Sequence, residues 1–161
     1  SLRQDIQQEL VKRGEACQCI RCREIRSRKV QSRDLELHDL IYRAGKAEEH
    51  FLSFDTSEDQ LAGFLRLSLP QKDSPATGME DLQGAAIIRE VHIYGQSLQV
   101  GYAQDGAAQH VGLGTQLIQK AEEIAAAKGY HRLAVISAVG TRRYYAKRGF
   151  KPGRLYMTKD I

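Results

Sequence analysis

From Leu113 to Ala125 the apolar positions fall at helical spacing. Leu113, Leu117, Ile118, Ala121, Ile124 and Ala125 recur at intervals of three, four and seven, so they share one face. The helix is expected to start where Gly112 and Gly114 close the stretch Gln109-His110-Val111-Gly112-Leu113-Gly114. Elsewhere the apolar residues come in shorter runs. Residues 34–43, 50–54, 61–69 and 85–94 read as strands, parted by turns at 44–48 and 56–59 and by an exposed loop at 70–84. A further loop covers 95–108. Residues 132–137 are nearly all apolar, which predicts a strand buried on both faces. A short helix over 142–148 is closed by Gly149, and a last strand covers 155–158. At the start, Leu2, Ile6 and Leu10 line one side of a helix over 2–12, which Gly14 stops. No internal repeat or low-complexity tract interrupts these elements.

Composition narrows the class. The 161 residues, 42% hydrophobic and 27% charged, suit one domain with a real core. No apolar run approaches the ~20 residues that span a bilayer, so no membrane partner is expected. The polar start, Ser1-Leu2-Arg3-Gln4-Asp5, is not a secretion signal. Because the chain opens on Ser, it is expected to be a fragment of a longer protein or to carry a tag scar. The cytoplasm is the expected compartment.

Three features carry chemistry. First, the leading amides of a helix lack intrahelical acceptors and bear partial positive charge, and glycines let a bulky anion reach them. The stretch ending at Gly114 therefore reads as a diphosphate cradle, with a glycine-bearing turn before a core helix as the plain alternative. Second, Cys17, Cys19 and Cys22 form a C-x-C-x-x-C cluster that can supply three thiolates to one Zn²⁺. His38 and His50 are the candidates for a fourth ligand, and three free thiols are the competing state. Third, the net charge of +4 is unevenly spread. Arg21, Arg23, Arg26, Arg28, Lys29 and Arg33 face one acid, Glu24. Arg142, Arg143, Lys147, Arg148, Lys151 and Arg154 face none. Either run alone is as well read as a solvated face; two in one small domain favour a polyanion.

The order strand, Gly-rich loop, helix, strand, Tyr-bearing helix, Gly149-Phe150, strand resembles the acetyl-CoA-binding core of the GCN5-related N-acetyltransferase (GNAT) superfamily over roughly residues 85–159. The resemblance implies an α/β (α+β) fold with a mixed twisted sheet and flanking helices. Residues 1–33 form a helix and Cys-rich basic linker, and 34–161 the acetyl-CoA-binding domain. One departure stands out. Most members place two helices between the first two strands to hold the acceptor; here a five-residue turn stands there.

Ile88-Arg89-Glu90-Val91-His92-Ile93-Tyr94-Gly95, the run from Ser137 through Val139-Gly140-Thr141-Arg142 to Tyr144-Tyr145, and the final Tyr156-Met157 are similar to the acetyltransferase domain of the Elongator catalytic subunit. Cys19-Ile20-Arg21-Cys22-Arg23-Glu24 resembles the linker before that domain in bacterial and archaeal members. That resemblance implies a part in C5 carboxymethylation of a tRNA wobble uridine. The S-adenosylmethionine and iron–sulfur cluster would belong to a radical domain missing from this chain, and tRNA and that domain would be its partners. It further implies acetyl-CoA contacts at Glu90, Val91, His92 and Ile93 and at Gly112, Leu113, Gly114 and Thr115. Gln109 is a polar support on the rim. Tyr145 is the implied proton donor to the departing thiolate. Glu90 and His92, on one face of their strand, are candidate bases, although a satisfied core histidine is the plainer role for His92. The basic run from Arg21 to Arg33 is expected to carry tRNA. The alternatives are a free-standing N-acetyltransferase for a protein or small amine, and a non-catalytic module that binds tRNA and CoA.

Overall fold

The computed structural model describes residues 1–26, 30–94 and 108–161. Arg28, Lys29 and most of the loop expected at 95–108 lie outside these, as does the side chain of Gln109. The described elements are α1 (Leu2–Lys12), α2 (Ile20–Arg23), β1 (Leu35–Ala44), β2 (Ala47–Thr56), β3 (Leu61–Pro70), β4 (Ala85–Ile93), α3 (Ala108–Ala127), β5 (Arg132–Ile136), α4 (Arg142–Ala146), β6 (Lys151–Pro152) and β7 (Tyr156–Asp160). The seven strands make one sheet in the order β1-β2-β3-β4-β5-β7-β6. Among the described strands only β4 and β5 pair in parallel; the remaining strand pairs are antiparallel.

One face of the sheet packs on α3. Leu52, Leu65, Leu67, Ala86, Ile88, Leu133 and Val135 meet the predicted stripe of Leu113, Leu117, Ile118, Ala121 and Ala125. The β4–α3–β5 crossover covers that face, as parallel strands require. The other face carries a row of rings: Phe51 on Phe64, Phe64 on His92 and His92 on Tyr94, with centroids 5.1, 5.3 and 6.3 Å apart.

β1 and β2 form a hairpin with Gly45 at φ 58° and only Gly45 and Lys46 between the strands. The pair of helices usual in GNAT folds at this point is therefore replaced by an even tighter turn than the five residues expected. The Cys-rich segment is bolted to the sheet rather than trailing from it. Glu24 bridges Leu61, the Ile25 amide donates to the Leu61 carbonyl, and Ile25 and Val30 enter the core.

Several boundaries differ from expectation: β2 runs Ala47–Thr56 against the expected 50–54, α2 and β6 add to the expected elements, and two further shifts bear on the site. The helix expected after Gly114 begins at Ala108, so both glycines lie inside its first turns. A glycine costs about 1 kcal/mol against alanine in a helix, too little to end one that opens on Ala108 and Gln109. The last strand starts at Tyr156 and runs to Asp160, because it pairs with β5 along the whole of Arg132 to Ile136.

Candidate active site

β4 and β5 pair only from Ala85 opposite Arg132 to Ile88 opposite Val135. Beyond that point they part. The cause lies in β4, whose register against β3 passes from Leu67–Ile88 to Arg66–Glu90, leaving Arg89 as an unpaired bulge. The bend leaves Glu90, Val91, His92 and Ile93 beside β3 on one side and, among the described residues, without a strand on the other. An extended, amide-bearing ligand can pair with such an edge as an added strand.

The two glycines of α3 have different surroundings. A Cβ on Gly112 would meet nothing closer than the Gln116 amide nitrogen at 3.6 Å. A Cβ on Gly114 would run into the Tyr144 hydroxyl, with Ile93 Cγ1 3.5 Å away. Gly114 thus lets α4 close on α3. Arg148 seals the junction: its Nη2 donates to Thr115 Oγ1 at 2.7 Å, its Nη1 to the Tyr144 carbonyl at 2.7 Å, and its guanidinium lies 3.4 Å from the centre of the Tyr144 ring. In a helix begun at Ala108 the described amides without intrahelical acceptors are those of 108–110, so the expected cradle at 112–114 is not a loop of free amides. Gly112 remains the open approach to it.

Tyr145 is 7% exposed, edge-on to Tyr144 and Phe150. Burial pushes its phenol up, helped by Tyr144 and opposed by Arg148; burial likewise raises Tyr144 against the pull of Arg148. Both hydroxyls are therefore held protonated, as a proton donor must be. Glu90 does share a face with His92, Oε2 to Nε2 at 3.6 Å, and Arg66 Nε is 2.6 Å from Glu90 Oε1. His92 is not a core histidine: its side chain is 55% exposed.

Sequence reasoning passed over the fork's own cavity. It measures about 330 Å³ and is lined by Ser68, Ile87, Ile88, Arg89, Ile136 and Tyr156, within the usual range for small-ligand sites. Behind its wall stands Glu49, 3% exposed. Its Oε1 accepts the Ser68 hydroxyl at 2.6 Å; its Oε2 is buried without a hydrogen bond, 3.6 Å from Arg89 Nη1. Two adjacent glutamates, Glu48-Glu49, read as surface in sequence, and only the strand register could have revealed which one turns inward.

The acetyltransferase (GNAT) family matches residues 17–150. The chain belongs to that family. A tRNA uridine(34) acetyltransferase of Dehalococcoides mccartyi is 41% identical over 165 residues, covering 100% of this chain and 36% of that protein. Elongator complex protein 3 of Drosophila melanogaster is 43% identical over 123 residues, covering 74% of this chain and 22% of its own length. Among solved structures, archaeal Methanocaldococcus infernus Elp3 with an N-terminal deletion superposes with a TM-score of 0.76 at 29% identity, covering 96% of this chain and 38% of that one. The chain thus spans about a third or less of the length of these curated relatives.

In this GNAT domain the Cys-rich segment adds a second feature. The sulfur atoms of Cys17, Cys19 and Cys22 all lie within 4.8 Å of one another, and among the described residues no fourth His, Cys, Asp or Glu joins them. That spacing fits three thiolates on one tetrahedral Zn²⁺. The backbone at Cys22, and then the neighbouring thiols, bring Cys19 down to about 7, whereas Cys17, against the pull of the Cys19 backbone, is pushed up by hydrogen bonds with the Cys19 and Cys22 thiols; the cluster by itself thus favours one thiolate, at Cys19. Arg3 and Gln7 of α1 donate to Cys22 Sγ at 3.3 and 3.4 Å. Neither histidine completes the set. Both His50 nitrogens are engaged, Nδ1 by Asp39 at 2.9 Å and Nε2 by Glu48 at 3.2 Å, and the ring is buried. His38 is exposed beside Glu36.

The basic runs are only partly free. Arg23 is tied to Asp55 at 2.8 Å and Asp59 at 2.7 Å, and Arg148 is drawn onto Tyr144 and Thr115. Arg21, Arg26, Arg33, Arg142, Arg143, Lys147, Lys151 and Arg154 remain exposed. Among the described residues no helix is long and apolar enough to cross a membrane.

Proposed function

We propose that this chain is the acetyl-CoA-binding, thioester-cleaving domain of a larger cytoplasmic enzyme that carboxymethylates C5 of a tRNA wobble uridine. A radical S-adenosylmethionine domain with its iron–sulfur cluster would be supplied elsewhere in that enzyme. The observation that carries the reading is the fork itself: in a GNAT chain, β4 offers Glu90, Val91, His92 and Ile93 as an unpaired edge directly beside the opening of α3. The pantetheine arm pairs with that edge, and the diphosphate reaches residues 112–115 past the open side of Gly112, with Gln109 on the rim. The relatives' names, which specify uridine 34 of tRNA and Elongator, support tRNA as the partner.

The chain's own residues divide the work. The fork holds the thioester between two strands. Tyr145 is the carried-over proton donor to the thiolate; Tyr144, whose hydroxyl rests on Gly114 beside Ile93, is the second candidate. Glu90 and His92, paired on one face, meet the acceptor side. The Cys cluster holds zinc and fixes α1 and the basic segment to the sheet. The two-residue β1–β2 turn leaves no acceptor wall of the kind an amine N-acetyltransferase uses, and this favours the tRNA reading over a free-standing one.

Thiol release from acetyl-CoA by the intact protein, with and without tRNA, tests the assignment: release stimulated by tRNA is expected, and release equal in its absence contradicts it. A mobility shift over several salt concentrations tests the surface. Reversing Arg21, Arg26 and Arg33 to Glu should weaken tRNA binding and flatten its salt slope while leaving CoA affinity unchanged. Parental affinity with the parental slope would return that run to a solvated face.

A further inference from the structure

We propose that Ser68 and Glu49 are the proton-accepting pair for the water that cleaves the thioester. The proposal rests on the reading of the fork as the acetyl-CoA site. Ser68 lines the fork cavity, and its hydroxyl donates to Glu49 Oε1 at 2.6 Å. A carboxylate buried to this degree is costly unless its hydrogen-bonding capacity is met, yet Oε2 has no hydrogen bond and only the longer ion pair to Arg89. Glu90 is ion-paired with Arg66, whose Nε makes no hydrogen bond, and it does not line the cavity.

In the step so assigned, a water seated in the cavity bonds through oxygen to the acetyl carbonyl carbon and passes a proton to Ser68 Oγ. The Ser68 proton moves to Glu49 Oε1. The C–S bond breaks, its electron pair leaves on sulfur, and a tyrosine hydroxyl at the α3–α4 junction protonates the thiolate. The acetic acid formed ionises and returns a proton to that tyrosine, and Glu49 loses its proton to solvent. The balance is acetyl-CoA and water to acetate, CoA thiol and one proton. Ser68 touches the reacting water; Glu49 acts through it and is a positioning residue.

Steady-state thiol release by the intact protein with saturating tRNA tests the assignment, alongside calorimetric CoA affinity and melting temperature. Glu49→Gln keeps an oxygen for the Ser68 hydroxyl but cannot take its proton. It should lower kcat roughly 10²-fold or more, with KM, CoA affinity and melting temperature near parental. Ser68→Ala should do the same, and Ser68→Thr should restore most of kcat. Parental kcat in folded Glu49→Gln, or KM rising while kcat holds, overturns the proposal and leaves the acetyl-CoA site standing. If the parent binds acetyl-CoA but releases no thiol, the proposal falls together with the thioester-cleaving part of the proposed function, and the acetyl-CoA site stands. If the parent binds none, it falls together with the site.

Discussion

The Tyr144 hydroxyl stands where a Cβ on Gly114 would have to be. The next atom of the ring, Cζ, would lie 3.5 Å from that Cβ, an ordinary contact. Two opposing effects therefore act on Gly114→Ala. Alanine improves the helix by about 1 kcal/mol, and overpacking against a ring clamped by Arg148 costs ~1–3 kcal/mol. Gly114→Ala should thus be neutral to destabilising alone and stabilising in a Tyr144→Phe background. A double-mutant cycle by denaturant unfolding measures the coupling. Additive effects would mean that α4 does not close on α3 in this way. Gly112→Asp is the cleaner probe of the diphosphate approach, because among the described residues its Cβ would meet only the Gln116 amide nitrogen, at an ordinary 3.6 Å; it should weaken CoA binding with little change in stability.

The two tyrosines separate by single substitutions. Phe at the donor position should keep CoA affinity and lose ~10²–10⁴-fold in thiol release; Phe at the other should lose little. Tyr145 is the expected donor. Single-turnover thiol release by Tyr144→Phe and Tyr145→Phe compares them, and parental rates in both would remove the pair from the chemistry.

Asp81 contributes to the acid limb of stability. Its carboxylate accepts the amides of Arg154, Leu155 and Tyr156 at 3.1, 2.7 and 3.0 Å, and a Cβ on Gly153 would collide with it. These amides, Leu155 foremost, hold its pKa below the usual carboxylate value. A depressed folded pKa means the contribution is fully present above the unfolded value, ~3.9, and is lost as pH falls through the folded pKa. Asp81→Asn should therefore melt below the parent at neutral pH, and the gap should close as pH drops under 3.9. A gap that holds constant into acid would contradict the assignment. Because Tyr156 lines the fork, the variant should also loosen the cavity.

The Cys cluster should retain one zinc through purification without added metal. Metal analysis and melting before and after chelation check this, with a lower melting temperature expected after removal. A metal-free chain whose melting is indifferent to chelator would leave three free thiols.

The elements were largely legible because their patterns are local. The bounds of α1 and the buried stripe of α3 follow from periodicity alone. What periodicity misses is what depends on a partner across the sheet. Glu90 and His92 share a face, as alternation requires, but alternation does not tell that His92 is left exposed there. Arg148 sits in a basic run and reads as surface, yet a ring about one helical turn back, Tyr144, takes its guanidinium. The Arg89 bulge, which opens the fork, leaves no mark in composition, and Glu49 is distinguished from Glu48 only by register.

Hydrogen exchange at Glu90, Val91, His92 and Ile93 with and without acetyl-CoA tests the central claim most directly. If the pantetheine arm pairs with the free edge of β4, amides in this stretch should slow on ligand addition, while those of β1 and β2 stay unchanged. Binding that protects other segments and leaves residues 90–93 at their free rates would contradict the fork as the acetyl-CoA site.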